Sequence, residues 1–402
     1  MTEGHLKYLL NDATRQFVRE HANADVRQLA LRGSSNTDVN LPLALDQIAG
    51  RQYAHRKLPT WYAVDGIVYP PHLSLEQCSS EITARYKASL VSGDSLVDLT
   101  AGFGVDCYFM AHAFRNAVAV ELQPHLCEIA QHNFHLLDCD KIEVINSDAE
   151  TYLNQMKPTD VIFIDPARRD TAGRRTYGIK DCTPDVTHLA PTLLKKARTV
   201  MIKLSPMLDI SQVITTLPCV TDVHIVSVAS ECKELLVIMS STSNGDVVIH
   251  CMNDGKTFDF HRNDVFEDIT PWNEQCENAR FIYEPNASIM KAGCFNQVAN
   301  HYGVTPVSSD SHLFVSDKCV DELPGRTFVV DAITMMNKGE LKKVLAGITQ
   351  ANVAVRNFPM RADELKKRLR LKDGGNTYIF GTTTASGRHI IILCHKISND
   401  CQ

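Results

Sequence analysis

No stretch of this chain is apolar for long enough to cross a membrane, and its opening residues, Met1 to Lys7, lack the apolar core of a signal peptide. Its 13 cysteines include no Cys-x-x-Cys pair, and its 16 histidines no His-x-x-x-His. An odd thiol count without metal-ligand spacing predicts reduced cysteines in a cytoplasmic protein, with no disulfide frame and no bound metal. Excess positive charge is missing too: the net charge is −6, so the chain as a whole does not advertise nucleic-acid binding. Internal repeats and low-complexity tracts are absent. What remains is 402 residues with an ordinary 44% hydrophobic content, enough for two to four domains with real cores.

The most informative segment is residues 96–106, Leu-Val-Asp-Leu-Thr-Ala-Gly-Phe-Gly-Val-Asp. A short apolar strand ends at Asp98, a turn carries Gly102 and Gly104, and a helical stretch follows from Val105. Strand, glycine turn and helix bring backbone N–H groups against a nucleotide-like ligand. The third glycine of a dinucleotide fingerprint is missing, because Cys107 stands in its place. Three further strands then deliver acids. Ala117–Glu121 ends in a carboxylate 19 residues after Gly102, a spacing suited to a ribose diol. Ile142–Asn146 leads to Asp148, and 160–164 leads to Asp165-Pro-Ala-Arg168. Any one such acid reads equally well as a helix cap. Four at one sheet edge, beside a glycine turn, read as a binding site.

Asp98, Gly102, Gly104, Glu121, Asp148 and Asp165-Pro166 together resemble the class I S-adenosylmethionine (SAM) methyltransferases over about residues 76–240. The whole chain resembles bacterial proteins that pair this domain with a THUMP-like C-terminal domain. The matching segments are Ser79–Lys87, Asp165–Arg168, Tyr283–Asn286 with Met290–Gly293, and Leu313–Asp317. The resemblance implies SAM as cofactor, held by Asp98, Thr100, Gly102, Gly104, Glu121, Asp148, Ala149 and Asp165. It places the glycine turn under the methionine part, Glu121 on the ribose, Asp148 near the adenine amino group and Asp165-Pro166 at the departing methyl.

Methyl transfer from a sulfonium is an in-line displacement that needs positioning and sometimes a base, and no metal. Asp165 and Arg168 are the expected catalytic residues. Methylases of base amines carry Asn/Asp-Pro-Pro-aromatic at this place, and here Ala167 and Arg168 replace the last two. Uracil-C5 methylases match better with Asp-Pro-Pro-Arg but need a cysteine where this chain has Leu204, so covalent attack on a pyrimidine is not expected. Arg168, Arg169, Arg174, Tyr177 and Lys203 are the expected substrate contacts, since arginine and tyrosine recognise phosphate and stack on bases. Glu231 and Glu234 read as capping or surface residues.

The expected fold is α/β: a Rossmann-like seven-stranded methyltransferase sheet with an N-terminal helical region and small α+β C-terminal domains. Strands are predicted near 95–99, 117–121, 142–146, 160–165, 198–204, 222–228 and 234–240, the last two as a hairpin across 229–233. Helices are predicted over 17–31, 41–48, 75–90 and 288–300. The expected domains are 1–90 (helical), 91–243 (methyltransferase), 244–325 (a small ferredoxin-like α+β connector) and 326–402 (THUMP-like). Between Lys338 and Lys372 ten Lys/Arg face three acids, an excess that suits either an RNA-tracking face or a solvated helix surface. The leading expectation is SAM-dependent methylation of tRNA or rRNA, with RNA as partner and no membrane. Methylation of a small molecule or protein, and an RNA- or protein-binding module with a vestigial SAM site, stay open.

Overall fold

The computed structural model describes residues 11–167, 178–273 and 278–397. Contacts divide the chain into two units, Met1–Val223 with Glu234–Val247, and His224–Lys233 with Val248–Gln402.

The first unit opens with helices α1 (Asp12–Glu20), α2 (Val26–Arg32), α3 (Leu41–Lys57), α4 (Pro59–Tyr62), α5 (His72–Gln77) and α6 (Glu81–Ser89). The helices expected over 17–31 and 75–90 are each two. Asn11 and Asp25 cap α1 and α2 separately, and Ser80 caps α6 by accepting from Thr83 N–H. Then come β1 (Gly93–Asp98), α7 (Val105–Ala111), β2 (Phe114–Glu121), α8 (Pro124–Leu136), β3 (Ile142–Asn146), α9 (Ala149–Gln155) and β4 (Thr159–Ile164). After these follow α10 (Val186–Lys196), β5 (Ala197–Leu204), α11 (Ile210–Thr216), β6 (Val220–Val228) and β7 (Glu231–Ser240). Val161–Ile164 and Val200–Ile202 are buried runs, as central strands covered on both faces require.

The strand order is β3-β2-β1-β4-β5-β7-β6; the first five are parallel and β7 runs antiparallel to β5. This is the methyltransferase-type sheet expected. The order reverses at β1, between β2 and β4, and the crevice beyond that reversal is where open α/β sheets bind ligands. Leu58, Trp61, Tyr69 and Leu75 of the N-terminal segment join one core with Leu96, Phe103, Ala117 and Phe134. The connection between β6 and β7 is tighter than expected: only Ala229 and Ser230, both at positive φ, separate them.

In the second unit the tip of β6 continues the hydrogen-bonded order into the hairpin β8 (Val248–Asn253) and β9 (Lys256–His261). A second sheet contains β10 (Phe281–Pro285), β11 (Thr305–Pro306), β12 (Phe314–Ser316), β13 (Gly325–Met335), β14 (Asn352–Arg356), β15 (Thr377–Thr383) and β16 (His389–Lys396), in the order β11-β12-β10-β13-β16-β15-β14. β10 pairs with β13 across residue 325, so the connector and the C-terminal segment share one sheet. The helix expected over 288–300 is α12 (Ala287–Ala292) and α13 (Phe295–Tyr302), divided where Gly293 takes φ 67°.

Helices α14 (Lys338–Val344) and α15 (Ala362–Leu369) contribute Leu341, Val344 and Leu365 to the core on Ile379, Ile391 and Leu393. Ile282, Phe328, Phe380 and Ile392 point to the opposite face, where Trp272 and Leu313 cover them. Each such side chain contributes about 1.5–3 kcal/mol on burial, which fixes the register of every strand.

Candidate functional site

The glycine turn takes its shape from two backbone requirements. Gly104 starts α7 at φ 89°, and a Cβ there would lie 2.5 Å from the Phe134 ring. Gly102 also has positive φ, 55°, but a Cβ on it would meet nothing closer than Thr100 O at 4.0 Å. The turn is therefore packed on its Gly104 side and open above Gly102, as a backbone that receives a ligand must be. Phe103, between the two glycines, packs on Trp61 with ring centroids 4.8 Å apart, so the N-terminal helical segment braces the turn.

Glu121 ties the second strand to this turn. Its Oε2 accepts from Gly102 N–H at 2.9 Å and its Oε1 from Gln123 N–H at 2.8 Å. Each oxygen keeps a second lone pair for a further donor. Asp148 caps α9, accepting from Thr151 N–H at 2.8 Å, and Ala149 is the first residue of that helix. The hydrogen bonds to Thr151 hold the Asp148 carboxyl below its ordinary range. Its capping role and a role toward a ligand are compatible, because a carboxylate has two oxygens.

Asp98 is almost wholly buried; one oxygen accepts from Thr100 N–H at 2.9 Å, while Oδ2 is buried without a partner among the described residues. Burial raises its pKa well above the usual carboxylate range. The Thr100 bond opposes this, and the charges of Asp106, Asp165 and Glu121 add to it. Four carboxyl groups converge on the turn, and two of them, Asp98 and Glu121, have no cation partner among the described residues, so the turn suits a positively charged ligand.

Asp165 follows β4, where its N–H donates to Thr100 Oγ1 at 2.6 Å. Its Oδ2 receives Lys203 Nζ at 2.5 Å, with the Lys203 side chain 13% exposed and that of Asp165 36% exposed. Burial alone would lower the Lys203 pKa; the charges of Asp165, Asp106 and Glu234 outweigh it and hold the ammonium well above its ordinary value. Sequence reasoning missed what stands behind this pair. Lys87, fully buried, binds Glu234 Oε1 at 2.5 Å and Asp106 Oδ1 at 3.2 Å, and Ser79 Oγ donates to Asp106 Oδ2 at 2.7 Å. Glu234, read from sequence as capping or surface, is instead 3% exposed. Burial raises its carboxyl above the ordinary range against the pull of Lys87 and Lys203. The only sequence signal for this network was the segment Ser79–Lys87.

Of the residues expected from sequence, Asp98, Thr100, Asp165 and Lys203 are linked by one chain of hydrogen bonds and Gly102 with Glu121 by another; Gly104 closes the same turn, and Asp148 with Ala149 lies at the end of the neighbouring strand. Arg168, Arg169, Arg174 and Tyr177 lie outside the described residues. Leu204 is buried where a pyrimidine-attacking cysteine would stand. Cys78 feels the charges of Lys203 and Lys87, but burial pushes its thiol up to about 11, which leaves it protonated at neutral pH. The eleven described cysteines are free, and no described helix is long and apolar enough to cross a membrane.

Comparison with known proteins follows the same division. Family models match the chain as a THUMP domain-like segment over residues 325–396, a ferredoxin-like domain over 281–324, and a protein-L-isoaspartate(D-aspartate) O-methyltransferase over 43–173. No curated protein matches. Among solved structures, a protein from Porphyromonas gingivalis W83 named as a putative methyltransferase is 30% identical. It covers 98% of this chain and 99% of its own, with a TM-score of 0.85. A Streptococcus mutans protein, likewise named and in complex with SAH, is 15% identical over 39% of this chain and 95% of its own, at 0.31. An rRNA methylase from Streptococcus thermophilus is 15% identical over 40% and 93%, at 0.30.

Proposed function

The chain belongs to the methyltransferase family of the Porphyromonas gingivalis protein, and on that footing we propose that it is a SAM-dependent methyltransferase acting on tRNA or rRNA. The observation that carries the cofactor is the orphaned, buried Asp98 Oδ2 beside the open glycine turn. Bound there, SAM supplies a methyl group already activated on a sulfonium. Asp98 accepts from its ammonium, Glu121 accepts from the ribose hydroxyls, and Asp148 with the Ala149 backbone meets the adenine. Thr100 fixes the start of the Asp165 segment. Asp165 accepts a hydrogen bond from the methyl acceptor and aims its lone pair, and the bond from Lys203 Nζ fixes the Asp165 carboxyl in place for that task. Arg168, Arg169, Arg174 and Tyr177 are retained as substrate contacts on their sequence alone.

The observation that carries RNA is the basic stretch on and around α14 and α15. Eight of its ten cations, Lys338, Lys342, Lys343, Arg361, Lys367, Arg368, Arg370 and Lys372, are exposed, while Leu341, Val344 and Leu365 face the core. The four-part division expected from sequence is kept, with one practical consequence. Removing residues 326–402 would strip β13 from β10 and expose the connector, so charge neutralisation tests RNA binding better than truncation. Replacing Lys342, Lys343, Lys367 and Arg368 with glutamine should abolish retention of tRNA at physiological salt; unchanged retention would sink the RNA reading.

A protein substrate is the second reading, favoured by the match to the isoaspartate O-methyltransferase over 43–173. Radiolabelled SAM separates the two. RNA from a strain lacking this protein should take up label, and an isoaspartyl peptide should not; the reverse outcome selects the second reading.

A further inference from the structure

Glu284 lies in the second unit, on β10, in the segment Tyr283–Asn286. Its side chain is 6% exposed and holds two arginines. Arg326, directly across the strand pair on β13, donates from Nε to Glu284 Oε2 at 2.7 Å and adds a second bond from its terminal nitrogen. Arg356, the last residue of β14, donates to Glu284 Oε1 at 2.6 Å. The carboxylate is buried, but the guanidinium groups are not: their side chains are 49% and 35% exposed.

One buried negative charge supports two positive charges, leaving a net +1 at an accessible spot. Holding both forks on one carboxylate removes the rotamer entropy that free arginines would lose on binding. The polar atoms around Arg356 are also incompletely paired. Arg356 Nε is buried with no partner among the described residues, and so is Oγ1 of Thr382, its register neighbour on β15. His312 Nδ1 is the third such atom. Burial, with the charge of Arg356, holds His312 below its ordinary pKa against the opposing charge of Asp310, so the ring is neutral and offers a donor.

We infer that Arg326 and Arg356, mounted on Glu284, form a clasp for a phosphodiester oxyanion of an RNA backbone. The inference rests on the RNA reading above and deepens it. Arg326 turns Nε and one terminal nitrogen to Glu284, and Arg356 gives its terminal nitrogens to Glu284 and Val355 O. An oxyanion is therefore met by their remaining outer N–H groups and by the net positive charge; such a contact positions an RNA without reading its sequence. It lies apart from the α14–α15 cations, because Glu284, Arg326 and Arg356 share the parity of Ile282, Phe328 and Ala354, on the face opposite those helices.

The test uses the full chain and a labelled tRNA, titrated across a range of salt. R326Q/R356Q should weaken tRNA binding at least about tenfold and reduce the slope of log K against log salt by about 1 or more. Its SAM affinity should stay at the wild-type value. Because that variant leaves Glu284 without a counter-charge, R326K/R356K is the control for folding. It keeps both charges and the salt slope but loses the forks, and should still bind several-fold more weakly. If wild type binds tRNA and both variants match it, the clasp is overturned while the RNA reading stands. If wild type binds no tRNA, the RNA reading fails, and inorganic phosphate decides the clasp. Thermal protection of wild type that R326K/R356K lacks would assign the site to free phosphate; equal or absent protection would overturn it.

Discussion

Replacing Glu121 with alanine probes the turn and the ligand site together, and the two effects differ enough to be separated. In the fold, Glu121 binds the backbone N–H groups of Gly102 and Gln123 at 2.9 and 2.8 Å. Bonds to a charged acceptor contribute about 1.5–3 kcal/mol each. Gln123 is exposed and Gly102 half-buried, so water replaces much of each bond in the variant. The net cost to stability should be about 2–3 kcal/mol. From sequence alone a strand-end acid would be expected to cost the fold little; these two bonds raise that cost. Toward SAM, the loss is two charge-assisted bonds to ribose hydroxyls with no replacement where the ligand covers the site, about 3–5 kcal/mol, or a 100- to several-thousand-fold rise in Kd. Glu121→Gln keeps one acceptor oxygen and should lose about tenfold. Calorimetric titration with SAM measures the binding, and urea denaturation without ligand measures the fold. If Glu121→Ala binds SAM within about threefold of wild type while its stability falls, Glu121 is a brace for the turn only.

Asp165→Asn should bind SAM nearly as wild type yet lose at least about 100-fold in single-turnover methyl transfer, and Lys203→Met should behave alike; full activity in either removes it from the chemistry. Lys87→Met leaves Glu234 and Asp106 buried without their cation and should cost about 3–5 kcal/mol in chemical denaturation. The double change K87M/E234Q should recover part of that, whereas an equal or larger loss would refute the pairing. Asp98 and Glu234 are both held above their ordinary values, so at these two groups the folded protein binds more protons than the unfolded chain above about pH 4, beyond the range in which the lowered carboxyls such as Asp148 and Asp160 act oppositely. Stability without ligand should therefore fall as pH rises from there through the folded values. Asp98→Asn should flatten that fall and stabilise the empty protein at neutral pH while weakening SAM; a variant less stable than wild type at neutral pH would contradict the reasoning.

The sheet was legible because its signals are local and redundant. Apolar runs such as Val161–Ile164 and Val200–Ile202 sit in central parallel strands, and the short gap after β6 announced the closing hairpin. For the same reason the apolar spacing over 326–396 predicts strand, helix, strand, helix, strand and strand, and these are β13, α14, β14, α15, β15 and β16. Helix ends were less legible. A pattern spanning 75–90 looks continuous until Ser80 is seen capping its own helix, and the stretch 288–300 until Gly293 is seen in the left-handed region. In both places the apolar spacing continues across a break that only a cap or a positive φ reveals.

The binding half of the site was legible because its residues follow strand ends and a glycine turn, a pattern fixed by chain order. The half behind it was not, because Lys87, Asp106 and Glu234 come from α6, α7 and β7, 147 residues apart at the extreme. No spacing rule links them, and a glutamate at the fourth position of a hairpin strand, just past the turn, looks like a surface residue. The structure gives that network a reason to exist. Asp165 and Lys203 stand at an edge loaded with carboxylates, where Asp106 and Glu234 both add to the field on Lys203. Lys87 offsets part of the charge of those two acids from within the core, so the field that reaches Lys203 is reduced but stays negative. A cationic cofactor drawn by Asp98 and its neighbours then meets Asp165 already paired. On this argument Asp165 is free to orient a methyl acceptor because Lys203 prevents it from becoming the resting counter-ion of the sulfonium.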